Sequence, residues 1–239
     1  MPEPIQAGLW GALAGSALVL GAIAAITIRI PRRIVALIMA FGAGALVSSL
    51  AFDLAEEAFR AGGTLVFAIG LAAGSLVYFG GDRMIDRLSR MGTPDRGKTA
   101  GPAIVLGALL DGIPESLVLG ATLLGDGINP SFFAAVLISN FPEGLSGTRD
   151  LLDEGHRRVT VVGVWLAVAV ASALAAAIGN AAFASMSSTP LALAQSFAAG
   201  AIITMLADTM FPEAFEQGGN FVGVATALGF AAAFLLSRP

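Results

Sequence analysis

Long apolar segments recur along the whole chain and limit what it can fold into. A helix needs about 20 mostly apolar residues to cross the hydrocarbon core of a bilayer, and eight segments of about this length follow one another. The sequence predicts them at residues 5–28, 34–59, 64–81, 100–124, 131–151, 159–182, 191–214 and 220–237. The short turns between them contain Gly, Pro or Ser, at 62–63, 125–130, 187–190 and 218–219, and one longer polar loop covers 82–98. We therefore expect an all-α integral membrane protein with a single transmembrane domain over residues 1–239.

Composition agrees with this class. Only 13% of the residues are charged and 56% are hydrophobic, whereas a soluble domain has about 25% charged residues. The 30 glycines fit closely packed membrane helices. The chain has no cysteine, which excludes disulfides and thiolate metal ligands. No basic patch indicates nucleic acid, and no nucleotide-binding motif indicates an ATP-driven pump.

The basic residues predict how the chain is oriented. All Lys and Arg except Arg60 and Arg238 follow the first, third or fifth predicted helix. Loops rich in Lys and Arg stay on the cytoplasmic side, so we expect a multi-pass protein of the plasma (inner) membrane with both termini outside the cytoplasm. The first residues carry Glu3 and no Lys or Arg, which favours a first membrane helix over a cleavable signal.

Two internal repeats indicate how the helices are grouped. Residues 41–63 (FGAGALVSSLAFDLAEEAFRAGG) align without gaps with residues 197–219 (FAAGAIITMLADTMFPEAFEQGG), and about half of the positions are identical. A shorter repeat pairs residues 111–115 (DGIPE) with residues 139–143 (SNFPE). Many transporters are built from such repeats. The sequence therefore predicts a 3+2+3 arrangement in which the first and last three helices are related.

Carboxylates lie inside the apolar segments, where each charged group costs about 2.5–3.5 kcal/mol on insertion. Asp111 and Glu115 lie in the fourth segment and Glu143 lies in the fifth. Ser139 and Asn140 precede Glu143 by four and three residues, which puts them on the same helix face. Buried like charges must protonate or share a cation, so the cluster predicts an oxygen-ligand site for a divalent ion.

Prolines strengthen this prediction. Pro114 and Pro142 directly precede Glu115 and Glu143 inside their predicted helices. Each proline removes one backbone hydrogen bond and frees the carbonyl four residues earlier. A free carbonyl at membrane depth must be buried in protein or face a polar path, so we expect these oxygens to be available as further ligands.

The Pro-Glu pairs on the fourth and fifth of eight helices, with both termini outside, resemble the ZIP (Zrt/Irt-like protein) family of divalent metal transporters. The resemblance extends over essentially the whole chain. In that family the fourth helix usually reads His-Asn-x-Pro-Glu-Gly and the fifth carries a similar His-x-x-Pro-Glu segment, and together they line a binuclear metal site. The resemblance implies that Glu115 and Glu143 bind metal, and that Asp111 and Ser139 stand where the family has His.

The same resemblance extends to the other helices. It makes Asn140 a polar residue of the site and puts Gly112 where the fourth helix of the family has Asn. Asp53 stands where the second helix of the family has His, Glu57 is retained, and Asp208 falls where the seventh helix has an acidic residue or His. The candidate metal-binding residues are Asp111, Glu115, Asn140, Glu143, Ser139, Asp53, Glu57, Asp208 and Glu213.

The departures from the family share one chemical character. Asp or Ser replaces each intramembrane His, and the chain's one histidine, His156, lies in a basic loop. Oxygen ligands favour Mn²⁺ or Fe²⁺ and still allow Zn²⁺. Gly112 offers no donor, so binding of one ion or of two stays open.

We therefore expect secondary-type transport of Zn, Mn or Fe toward the cytoplasm, with Cd²⁺ also accepted. The ion is the substrate, and no cofactor or catalytic residue is expected. Acids near the ends of the second and seventh helices are expected to guide the ion in from outside. A homodimer is left open.

Two other functions use the same cluster. The first is an intramembrane metal-binding protein without transport, such as a sensor. The second is an intramembrane metalloenzyme, although no His-Glu-x-x-His motif or nearby nucleophile supports it. For single residues, the alternatives are a protonated Glu, an interhelical bond by Ser139 or Asn140, and solvated acids at the membrane surface for Glu57 and Glu213.

Overall fold

The computed structural model describes residues 1–91, 100–124 and 127–238, without the side chains of residues 89–91 and 100. Within these ranges the regular secondary structure is helical, as predicted. The α-helices are α1 (Glu3–Thr27), α2 (Arg32–Ser49), α3 (Glu56–Met91), α4 (Ala100–Thr122), α5 (Pro130–Asp153), α6 (Arg158–Phe183), α7 (Ser188–Met205), α8 (Phe211–Gly218) and α9 (Val222–Leu236). Residues 92–98 of the predicted polar loop and residues 125–126 of one predicted turn lie outside the described residues.

Five helical runs in the described residues are long and apolar enough to cross a membrane. They are Glu3–Thr27, Arg32–Leu88, Gly101–Thr122, Arg158–Phe183 and Ser188–Leu236. Large apolar side chains on these runs face outward, among them Leu9, Leu13 and Leu20 of α1. Exposed leucines in such numbers suit contact with lipid. The fold is thus that of a helical membrane protein.

Two of these runs are longer than a bilayer requires, and each contains a glycine with a left-handed backbone. Gly63 has φ 73° and ψ 179°, and Gly219 has φ 67°. Glycine adopts these angles without the steric penalty of a Cβ. The breaks stand where the sequence predicted turns, at 62–63 and 218–219.

The third predicted helix extends further than the sequence indicated. We expected it to end at residue 81, but α3 continues to Met91. Residues 82–91 (DRMIDRLSRM) include five charged side chains and neither Gly nor Pro, and Arg, Met and Leu favour helix. A charged sequence ends a membrane span, yet it does not by itself end a helix.

Two π-helical segments interrupt the regular winding, Leu50–Ala55 after α2 and Leu206–Met210 after α7. Leu50 and Leu206 occupy the same position of the sequence repeat. Widened turns of this kind occur frequently at functional sites. No separate signal in the sequence predicts them, and the apolar pattern alone predicts regular helix at these positions.

The sequence repeat has a counterpart in the packing. Helix α2 packs along α9, and α3 packs along α7. Gly229 of α9 lies against the Phe41 carbonyl, and Gly74 of α3 lies against the Phe197 carbonyl. Phe41 and Phe197 begin the two aligned segments. The related segments therefore make matching helix contacts.

The main apolar core lies toward one end of the bundle. It joins residues late in α2 and α4 with residues early in α5, and it includes α7. Its largest buried members are Leu46, Leu54, Leu119, Phe132, Ile202 and Leu206. The polar residues of α4 and α5 lie on one side of this core, and the acids that follow α2 lie on the other.

Candidate functional site

A central cavity of about 320 Å³ lies among α4, α5 and the segment that follows α7. Its lining includes five acidic side chains and three hydroxyl groups, namely Asp111, Glu115, Glu143, Asp150, Glu213, Ser139, Ser146 and Thr209. None of the described residues that line it is Lys or Arg. The cavity therefore offers a concentration of oxygen ligands without a fixed positive charge.

Helix geometry brings the acids of α4 and α5 together. Asp111 and Glu115 are four residues apart on α4, as are Ser139 and Glu143 on α5, so each pair shares a helix face. Both helices carry a proline just before the glutamate. Glu115 is only 2% exposed. The Glu143 carboxyl lies close enough to Asp111, Glu115 and Glu213 for their charges to interact.

The acids gather without forming a closed ligand cage. Across residues 1–91, 100–124 and 127–238, no three Asp, Glu or His side chains are arranged so that they could hold one ion. The lining thus consists of neighbouring carboxylates around open space.

One end of the central cavity leads to the region where α2 begins and α5 ends. The Ser146 hydroxyl donates to Oε1 of Glu213 over 2.6 Å. A neighbouring cavity of about 220 Å³ shares Ser146, Asp150 and Glu213 with the central one and adds Arg32 and Arg149. A polar route therefore runs from the central acids to this end of the bundle.

The acids that follow α2 lie in a separate cavity at the opposite end. This outer cavity has a volume of about 670 Å³ and is lined by Asp53, Glu57, Asn129 and Arg238, among others. One carboxylate oxygen of Asp53, Oδ2, is buried and has no hydrogen-bond partner among the described residues.

The expectation that the ends of the second and seventh helices form one entrance is therefore wrong. Asp53 and Glu57 line the outer cavity, whereas Glu213 lies beside Arg32, at the start of α2. Arg32 and Glu57 are 25 positions apart along nearly continuous helix, which at a rise of about 1.5 Å per residue separates them by about 38 Å. The sequence alignment does not reveal this difference, because it matches Glu57 with Glu213 without showing at which end of the bundle each of them lies.

A layer of packed apolar residues separates the outer cavity from the central cavity, and the order of residues along α5 shows where it lies. Asn129 lines the outer cavity, and Phe132 and Val136 belong to the apolar core. Ser139 lines the central cavity, and Asp150 lies where that cavity meets the polar route. At 1.5 Å per residue the packed layer separates the two polar regions by about 15 Å.

A pair of buried serines ties this layer together. The hydroxyls of Ser49 and Ser131 are hydrogen-bonded over 2.7 Å, and Ser131 also donates to the Ala233 carbonyl over 3.0 Å. Leu50 and Leu119 pack in the same layer. Three helices therefore meet where the outer cavity is closed off from the central one.

Two predicted site residues lie elsewhere. The Asn140 amide donates to the Ala14 carbonyl of α1 over 3.2 Å, and the side chain does not line the central cavity. Asp208 is exposed in its π-helical segment, within electrostatic range of Asp82. The structure thus groups Asp111, Glu115, Ser139, Glu143 and Glu213, and it separates Asn140 and Asp208 from them.

Sequence reasoning missed several neighbours of the site. Tyr78 of α3 donates its hydroxyl to Oδ1 of Asp111 over 2.7 Å. Ser146 and Thr209 add hydroxyls to the cavity lining. Thr209 occupies the repeat position of Asp53, which is the one signal that could have drawn attention to it.

No protein-family model matches the chain, and the curated proteins contain no match to it.

Proposed function

We propose that this chain is a secondary transporter that carries divalent transition-metal ions toward the cytoplasm, in the manner of the ZIP family that its sequence resembles. One observation carries the proposal. Asp111, Glu115 and Glu143 face one cavity inside apolar helices, and no described Lys or Arg lines that cavity. Carboxylates that share an apolar interior without a fixed cation need a proton or a bound cation. An ion that crosses the membrane supplies that charge.

We propose eight membrane spans, with the Gly63 and Gly219 breaks dividing the two longest helical runs. Both termini then lie outside the cytoplasm. In this orientation the outer cavity around Asp53 faces the exterior, and the polar route past Glu213 and Arg32 faces the cytoplasm. The basic residues near this route support the assignment.

The proposed path has three stages. An ion first meets Asp53 and Glu57 in the outer cavity. It reaches Asp111, Glu115 and Glu143 after the packed layer around Phe132 opens, and it leaves past the inner acids. Rearrangement of one helix group against another is the usual way in which repeat-built transporters expose a central site to each side in turn. In this conformation the packed layer separates the cavity around Asp53 from the central cavity.

The ligand chemistry supports a preference among metals. The central cavity offers carboxylate and hydroxyl oxygens, and none of its described lining residues is a histidine or cysteine. Hard oxygen ligands suit Mn²⁺ and Fe²⁺, whereas imidazole favours Zn²⁺. We therefore propose that Mn²⁺ and Fe²⁺ are carried at least as well as Zn²⁺ and Cd²⁺.

Uptake by purified protein in liposomes tests the proposal. Uptake of Mn²⁺, Fe²⁺, Zn²⁺ and Cd²⁺ is measured for wild type, Glu115→Ala and Glu143→Ala. Glu216→Ala is the matched control, because Glu216 is exposed and lines none of the three polar cavities. We expect both site variants to lose at least nine-tenths of the uptake and the control to retain it. Folded wild-type protein that binds metal but carries none would instead be a sensor or an enzyme.

A further inference from the structure

The single tyrosine of the chain lies directly behind one of the central acids. Tyr78 is 3% exposed and belongs to the main apolar core. Its hydroxyl donates to Oδ1 of Asp111 over 2.7 Å, which joins α3 to α4. Tyr78 does not itself line the central cavity, whereas Asp111 does. Thr209, which also lines the cavity, is within hydrogen-bond reach of the same hydroxyl. An effect of Tyr78 on an ion in the cavity therefore passes through Asp111 or Thr209.

We propose that Tyr78 is a positioning residue that holds the Asp111 carboxylate in the orientation that receives the transported ion. This inference rests on the proposed metal transport. The bond occupies one oxygen of the carboxylate and leaves the other, Oδ2, for the ion. It also restricts rotation of the Asp111 side chain, which shares its helix face with Glu115.

A tyrosine suits this task better than a basic residue would. A buried tyrosine hydroxyl needs a hydrogen-bond partner, and the Asp111 carboxylate is such an acceptor. The phenol is neutral, so it orients the carboxylate without cancelling the negative charge that attracts a cation. Lys or Arg at this position would bring a full positive charge next to the ion and repel it.

The surroundings of this pair give the hydroxyl a second role. Asp82 lies one turn after Tyr78 on α3, close enough to Asp111 and to Asp208 for their charges to interact. These acids repel one another. The Tyr78 hydroxyl holds the Asp111 carboxylate beside α3 against that repulsion. Removal of the hydroxyl therefore releases Asp111 and leaves the apolar body of the side chain in place.

The test compares Tyr78→Phe with wild type in detergent, with Mn²⁺ affinity as the readout. Ser75→Ala is the matched control, because Ser75 lies on the same helix and its hydroxyl bonds to the Gly200 carbonyl over 3.1 Å, away from Asp111. We expect Tyr78→Phe to weaken Mn²⁺ binding about tenfold and Ser75→Ala to change it less than twofold. An unchanged affinity in Tyr78→Phe would overturn the inference.

A double-mutant cycle separates positioning from simple packing. If Tyr78 acts through Asp111, Tyr78→Phe has less than a twofold effect in an Asp111→Ala background, where no side-chain acceptor remains. A full tenfold effect there would mean that Tyr78 acts by packing or through Thr209, and it would overturn the inference.

Because Tyr78 is the only tyrosine, its ultraviolet resonance Raman signal reports on this one hydroxyl. We expect saturating Mn²⁺ to shift the signal in wild type, because the ion draws charge from the acceptor. An unshifted signal in protein that binds Mn²⁺ overturns the positioning role. Wild type that neither binds nor carries any ion overturns the proposed transport instead, so the two failures are distinguishable.

Discussion

Gly200 of α7 lies so close to Leu71 of α3 that a side-chain carbon added to the glycine would overlap the Leu71 carbonyl oxygen. The aligned position of the repeat shows the same relationship, because Gly44 of α2 lies equally close to the Thr226 carbonyl of α9. Backbones approach this closely only where glycine leaves room. Both copies of the repeat therefore follow the same packing rule, in which a glycine lets its helix approach the backbone of the neighbouring helix.

This contact predicts a stability effect. Gly200→Ala must push α7 away from α3, because the obstructing atom belongs to the backbone and not to a flexible side chain. We expect unfolding in detergent to become easier by about 1–3 kcal/mol, as for other overpacked interiors. Gly223→Ala is the control, since nothing lies within 4 Å of a carbon added there. Equal midpoints of thermal aggregation for the two variants would contradict the packing rule.

The proposed eight spans predict an alternating pattern of accessibility. The chain has no cysteine, so single cysteines can be introduced without first removing others. We expect Thr64→Cys and Ser187→Cys to react with a membrane-impermeant maleimide on intact cells. Asp153→Cys and Asn220→Cys should react only after permeabilisation. All four positions are exposed, and each lies at or beside a helix end or next to a glycine break.

The two glycine breaks are the most informative part of that experiment. Thr64 follows the first break and Asn220 follows the second. If both reacted from the same side, the two long helical runs could not each cross the membrane twice in the proposed orientation. A reversed pattern at all four positions would keep eight spans but invert the protein in the membrane.

Sequence reasoning succeeded for features that depend on residues near one another in the chain, such as a helix break or a shared helix face. Glycines at 62–63 and 218–219 predicted the breaks because only glycine adopts the required backbone angles easily. The spacing from Asp111 to Glu115 predicted a shared helix face because four residues make about one turn. Both kinds of inference concern residues near one another in the chain.

Sequence reasoning failed where a side-chain contact depends on how helices distant in the sequence pack against each other. Asn140 has the right spacing from Glu143, yet the rotation of α5 against α1 turns its amide to the Ala14 carbonyl. Tyr78 and Asp111 are 33 positions apart in the sequence, and no local pattern links them. Such pairs depend on how whole helices pack, which the spacing within one helix does not determine.

The position of Asn140 predicts that its substitution lowers the stability of the fold but leaves metal affinity nearly unchanged. Asn140→Ala removes a buried hydrogen bond to α1, which typically costs about 0.5–1.5 kcal/mol, and more where the carbonyl is left unpaired. We expect the unfolding midpoint to fall and Mn²⁺ affinity to change less than threefold. Glu143→Gln is the comparison, for which we expect at least a tenfold loss of affinity. Similar losses of affinity in both variants would make Asn140 a ligand after all.

The closed layer between the outer and central cavities gives the last prediction. The hydroxyls of Ser49 and Ser131 are 2.7 Å apart, so cysteines at both positions place their sulfur atoms close enough to join. We expect diamide to lock the layer in Ser49→Cys/Ser131→Cys and to reduce Mn²⁺ uptake into liposomes at least tenfold, because the ion must pass this layer. A reducing agent should restore the uptake. Each single cysteine variant, treated in the same way, should keep its rate. Undiminished uptake by protein in which mass spectrometry shows the cross-link would mean that the ion takes another route.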